Sequence, residues 1–177
     1  MITLLLVIIY IAFISLGLPD AMLGSAWPLM SSDLAVSLSS AGLISMTISA
    51  GTIVSSLLSG KIIDKLGTGK VTAISVAMTA VALLGFSFSN GYFWLILMAI
   101  PLGLGAGSVD TALNNFVALH YSARHMSWLH CFWGVGATTG PIIMGRAIAK
   151  NGLWKDGYLT VAIIQIILVI VLFISLP

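Results

Sequence analysis

The stretch Leu102-Gly-Leu-Gly-Ala-Gly-Ser-Val-Asp-Thr-Ala-Leu-Asn-Asn115 decides how the whole chain is read. It lies inside an apolar run that begins near Phe93 and ends near Leu119. Taken as a helix, Gly103, Gly107, Asp110 and Asn114 fall on one stripe, at steps of four, three and four residues. A carboxylate in the middle of a hydrophobic span is costly, so it faces a wet cavity or a partner. The glycines on the same stripe let a second helix, or a ligand, approach closely. The stretch therefore predicts a membrane helix lining a polar pocket.

Composition extends that reading to the rest of the chain. Of 177 residues, 59% are hydrophobic and only 7% are charged, with no glutamate among the five acids. A soluble domain carries about 25% charged residues, so most of this surface is built for the lipid bilayer. The seven basic residues are scattered and the formal net charge is +2, which excludes nucleic acid as a partner. Cys131 is the only cysteine, so no disulfide forms within the chain, and it is expected as a small buried hydrophobe. The first apolar run lacks a basic leader and is expected to stay in the protein as a helix. No metal-ligand spacing, phosphate loop or nucleophile–base constellation occurs, so neither an enzyme nor a cofactor is expected.

Six apolar spans are predicted, at 3–30, 39–60, 70–89, 92–119, 126–149 and 157–176. Each is near the ~20 residues needed to cross the hydrocarbon core. The connectors are short, so residues 1–177 are expected to form a single all-α bundle of six transmembrane helices. Lys61, Lys65 and Lys70 flank the second loop and Arg124 lies in the fourth, whereas the first and third loops have no basic residue. That bias places the second and fourth loops, and both termini, in the cytoplasm.

The spans differ in character. Span one carries Phe13, Gly17, Asp20, Gly24 and Trp27 on one stripe, with Pro19 and Pro28 expected to loosen or kink the helix. Span five aligns Met126, His130, Trp133, Ala137 and Gly140, and Gly140-Pro141 interrupts it. Spans one, four and five read as pocket walls. Span six is aliphatic apart from Gln165 and reads as lipid-facing scaffold. If spans four and five pair antiparallel about a turn near His120, Asp110 and His130 lie at equal depth, about 15 Å of helix from the turn. Trp27 and Trp133 either stack on a substrate ring or fill space. Trp94 and Trp154 read as interfacial, and His120 and His125 as solvated loop residues.

Two segments resemble a known family. Gly60-Lys-Ile-Ile-Asp64-Lys65-Leu-Gly67-Thr-Gly-Lys70 is similar to the signature between helices two and three of the major facilitator superfamily, G-x-x-x-D-[RK]-x-G followed by basic residues. The resemblance implies a cytoplasmic gating loop in which Asp64 and Lys65 act as a charge latch. Gly105-Ala-Gly-Ser-Val-Asp110-Thr-Ala-Leu-Asn114-Asn-Phe-Val resembles helix four of the fucose–proton symporter branch. It implies proton coupling at Asp110 and sugar binding at Asp20. The branch often carries Gln where this sequence has His130, which reads from its own position either as a ligand or proton partner or as a packing histidine. Asn114, Asn115, Trp27, Trp133 and His130 complete the expected substrate site. The likeness covers one half of a usual twelve-helix transporter.

The expected protein is thus a major facilitator repeat in a bacterial inner membrane, moving a sugar or polyol with a proton as a parallel homodimer. A drug–proton antiporter, or a truncated half that pairs with another chain, are the alternatives. Cysteines introduced between Lys61 and Lys70 should react with membrane-impermeant reagents only from the cytoplasmic side; labelling from outside intact cells would overturn this topology.

Overall fold

A computed structural model describes residues 2–175, and side chains from 5 to 174. The predicted end of the last span at 176 therefore lies outside the described residues. Seven α-helices follow one another: α1 (Ile2–Asp20), α2 (Met22–Asp33), α3 (Ala41–Leu66), α4 (Thr68–Ser87), α5 (Tyr92–His120), α6 (Ala123–Asn151) and α7 (Trp154–Ser175). A 3-10 turn at Leu38–Ser40 precedes α3, and no strand occurs among the described residues.

The first span is not one helix but two, divided at Ala21 immediately after Asp20. Pro19 lies inside α1 and Pro28 inside α2, so the break falls beside the first proline and not at the second. Lacking an N–H, Pro19 cannot donate to the carbonyl of Ser15 four residues back. In an apolar bundle that carbonyl needs another donor. Gln165 supplies it: its Nε2 donates to the Ser15 carbonyl at 3.0 Å, and its Oε1 accepts from Thr79 Oγ1 at 2.8 Å. The one strongly polar side chain of α7 is 1% exposed and ties α1, α4 and α7 together. The helix expected to be plain scaffold holds the broken span in place, while Ile163, Ile167, Ile170 and Ile174 on its other side face outward.

Five segments are long and apolar enough to cross a membrane: Leu5–Asp33, Leu38–Leu66, Thr68–Ser87, Tyr92–His120 and Trp154–Ile174. The 29-residue α6 falls outside this set. It carries Arg124, His125, His130, Arg146 and Lys150, together with Thr138 and Thr139, and these dilute the hydrophobicity that the sequence reading attributed to its middle.

In space the helices neighbour one another in the order α3, α5, α4, α7, α6, α1, with lighter contacts from α5 to α1 and α6. Helix α5 therefore packs mainly on α3 and α4, not on α6 as a simple antiparallel pair. Glycines set the close approaches. A Cβ at Gly103 would collide with the Ile48 carbonyl, and one at Gly107 with Ser55 Oγ and the Thr52 carbonyl, all on α3. Across the bundle, a Cβ at Gly136 would strike the Ile14 carbonyl and one at Gly140 the Leu18 carbonyl of α1. Between α3 and α4 the chain reverses at a single residue, Gly67, whose φ of 80° suits glycine and little else.

Side-chain bonds secure the end of the bundle opposite Gly67. Trp154 is buried and donates from Nε1 to Asp33 Oδ2 at 2.8 Å, so it is a tether between α2 and α7 and not an interfacial residue. Tyr92 Oη donates to the Ser40 carbonyl at 2.8 Å, and Lys155 Nζ to Asn90 Oδ1 at 2.9 Å.

Replacing Gln165 with Leu should lower stability by about 1–2 kcal/mol, because it orphans the Ser15 carbonyl. In a Pro19→Ala background, where residue 19 regains its N–H, the same replacement should cost clearly less. SDS-titrated unfolding of the four proteins measures this; equal costs in both backgrounds would show that Gln165 does not serve the proline break.

A candidate polar site between α1, α3, α5 and α6

The break after Pro19 places Asp20 at the last position of α1, where its carboxyl leaves the helix–helix seam. Trp133 of α6 reaches it, donating from Nε1 to Asp20 Oδ2 at 2.7 Å. On α5, Asp110 continues the stripe of Gly103 and Gly107. Asn114, one turn later, donates from Nδ2 to Asp110 Oδ1 at 2.9 Å and to its main-chain carbonyl at 3.0 Å. His130 lies nearly parallel to the buried Phe13 ring, 6.3 Å between centroids.

These groups meet. Phe13, Asp110, His130 and Trp133 line one cleft of about 230 Å³. A second cavity, of about 260 Å³, is lined by Asp20 together with Ser45 and Ser49 of α3, Leu102 and Ala106 of α5, and Phe86 and Tyr158. Asp20 and Trp133 bridge the two spaces. Asp110 lies within electrostatic reach of both His130 and Asp20. Although α5 and α6 pack only lightly, Asp110 and His130 do open onto the same cleft, as their equal distance from the turn suggests.

Other expected site residues lie elsewhere. Trp27 is 5% exposed and donates from Nε1 to the Leu38 carbonyl at 2.8 Å, packing beside Tyr92. Its indole fills space and closes the turn before α3; it lines neither cavity. Asn115 sits about 140° around α5 from Asp110, at ~100° per residue, on an exposed face that shares nothing with the carboxyl. Cys131 is exposed rather than buried. Nor is His125 a solvated loop residue: it is half-buried in α6, and its Nδ1 shares a 2.8 Å hydrogen bond with Tyr10 Oη. His120 stacks on Phe116, and its Nδ1 donates to the Phe116 carbonyl at 2.9 Å. Gly60, Asp64, Lys65 and Lys70 flank the Gly67 reversal at one end of the bundle; Asp64 and Lys65 are exposed and line neither cavity.

The sequence reading missed Ser45, Ser49 and Tyr158. Their hydroxyls are visible in the sequence, but nothing in it distinguishes them from the many other serines and threonines of these spans.

The sequence model described as "Major Facilitator Superfamily" matches residues 9–177. The chain belongs to the Major Facilitator Superfamily. Within it, the chain is similar to the glucose/mannose transporter GlcP of Bacillus subtilis (strain 168), at 30% identity over 87 residues. That match covers 48% of this chain and 22% of the transporter. Its fold is that of the crystal structure of a D-xylose-proton symporter, with a TM-score of 0.81 at 15% identity. The superposition covers 99% of this chain and 48% of the symporter, so the chain spans about half the length of that relative. A member of this superfamily with these apolar helices is an integral membrane protein.

The Asp20–Trp133 bond should show as an energetic coupling. In a cycle of Asp20→Ala, Trp133→Phe and the double variant, the interaction should be about 1–2 kcal/mol in SDS-titrated unfolding. Additive effects would mean that the two side chains are merely adjacent.

Proposed function

We propose that this chain is one half of a proton-coupled transporter that takes up a sugar or polyol, with a second, parallel copy completing the translocation path. One observation carries the reading. Two carboxyls from different helices, Asp20 and Asp110, open onto adjoining cavities within an apolar bundle, together with Trp133, His130 and Asn114. Intramembrane acids are costly and mark substrate or proton pathways. The substrates of the two relatives, glucose or mannose and D-xylose with a proton, favour a monosaccharide over an organic cation.

In this mechanism Asp20, held from one side by Trp133, accepts hydrogen bonds from substrate hydroxyls. Asp110 takes up the coupled proton. An ionised carboxylate resists enclosure in an apolar cleft, whereas a neutral carboxyl with Asn114 beside it tolerates it. Protonation of Asp110 therefore permits the cleft to close on one side and reopen on the other. His130, facing the same cleft, sets the charge that Asp110 experiences. The turn at Gly67, with Asp64 and Lys65, forms the cytoplasmic gate.

The second copy has physical support. Asp110 and His130 are exposed, and α3 exposes Leu43, Met46, Ile53 and Leu57. A copy related by an axis along the membrane normal would repeat the relation between the halves of an ordinary family member. Each site residue then occurs twice about the axis. All six spans, α6 included, cross the inner membrane in this arrangement, with both termini cytoplasmic.

The test uses the chain alone in proteoliposomes. Sugar-induced proton uptake should be present in the native protein and absent in Asp110→Asn, which should still bind sugar and exchange it between the two sides. Uptake persisting at the native ratio would place the proton elsewhere. Transport by particles containing a single chain, measured by mass in detergent and after reconstitution, would overturn the dimer.

A further inference from the structure

Helix α3 has seven hydroxyl side chains between Ser45 and Ser59, and five of them are satisfied by backbone carbonyls. Thr47 donates to Leu43, Thr52 to Ile48, Ser55 to Thr52, Ser56 to Gly107 and Ser59 to Ser55, at 2.7–3.4 Å. Such back-bonding is the ordinary resting state of a hydroxyl on a helix in apolar surroundings. Ser45 and Ser49 are the exceptions: among the described residues neither has a hydrogen-bond partner. They stand one turn apart, about 6 Å along the axis, and both line the 260 Å³ cavity that also contains Asp20. The Asp20 carboxyl has Oδ2 taken by Trp133, which leaves Oδ1 without a protein donor among the described residues.

We infer that Ser45, Ser49 and Asp20 Oδ1 form a hydroxyl-reading subsite that fixes which monosaccharide is accepted; the inference rests on the sugar-transport reading above. Each serine can donate and accept, while an ionised Asp20 only accepts, so the three suit adjacent hydroxyls that act both as donors and as acceptors. Phe86 and Tyr158, tilted against each other at 5.1 Å and almost fully buried, close the apolar side of the cavity. The cavity is small beside the ~300–1,000 Å³ of pockets that take drug-sized ligands. That size fits one compact sugar ring. Ala106, one turn before Asp110, lines the same space, so a sugar held here lies next to the proton-carrying acid. Packing alone does not account for the two serines, because both are exposed to the cavity and neither is pressed into a helix seam.

The experiment is equilibrium binding of radiolabelled D-glucose, with its five monodeoxy analogues as competitors, to the full chain in lipid vesicles. Native protein is compared with Ser45→Ala, Ser49→Ala, the double variant and Thr47→Val, the last removing a hydroxyl that is already satisfied on the same helix. Each serine variant should weaken D-glucose binding about three- to tenfold, the usual worth of one neutral hydrogen bond. Each should also lose discrimination against one particular deoxy analogue, because the hydroxyl that read the missing group is gone. Thr47→Val should bind as the native protein does. Unchanged affinity and unchanged analogue ranking in the double variant would overturn the subsite while leaving the sugar reading intact. Native protein that binds none of these sugars would overturn the sugar reading and the subsite together.

Discussion

In the low-dielectric interior of a membrane bundle, a backbone carbonyl without a donor is a liability that must be met by the protein itself. Pro19 creates one at Ser15, and the pairing of that carbonyl with Gln165 holds the first span in its broken form. The consequences spread outward. The break at Ala21 ends α1 at Asp20, so the carboxyl emerges toward the cavities and meets the Trp133 indole. Thr79 fixes Gln165 from α4, which sets α7 against both α4 and α1. A single missing N–H thus explains why an otherwise aliphatic helix carries one amide, and why an acid can be placed halfway along a hydrophobic span.

Glycine seams complete the frame. Gly103 and Gly107 bring α5 into backbone contact with α3, and Gly136 and Gly140 do the same for α6 and α1. With no hydrophobic drive between helices in lipid, such close approach is a main source of association. The seams run on beside the functional side chains: a Cβ at Gly17 of α1 would collide with the Trp133 carbonyl. Asp110 and Asn114 follow Gly107 on α5; His130 and Trp133 precede Gly136 on α6. The two seams are therefore both the packing of the bundle and the walls of its polar space. The same frame leaves large apolar side chains of α3 exposed, Leu43, Met46, Ile53 and Leu57 among them.

The ends of the bundle are held differently. Asp33–Trp154, Tyr92–Ser40 and Asn90–Lys155 tie successive connections together at one end. At the other, Tyr10–His125 joins α1 to α6, and the α3–α4 reversal depends on the positive φ of Gly67.

The sequence by itself determined the all-helical character, most of the helices, the glycine stripes and membership of the superfamily. Helical periodicity and the width of a bilayer translate directly into residue spacing, and the Gly67 motif follows from a reversal that only glycine makes without strain. What periodicity gives is an angle around one helix; it does not say which helix stands opposite. Only the tertiary structure decided that α5 packs on α3 and α4, that Trp133 and not Trp27 reaches Asp20, and that Trp154 is a buried tether. The same limit hid the serines. Seven hydroxyls on α3 look alike in sequence, and the five satisfied on backbone carbonyls differ from Ser45 and Ser49 only through what the fold places beside them.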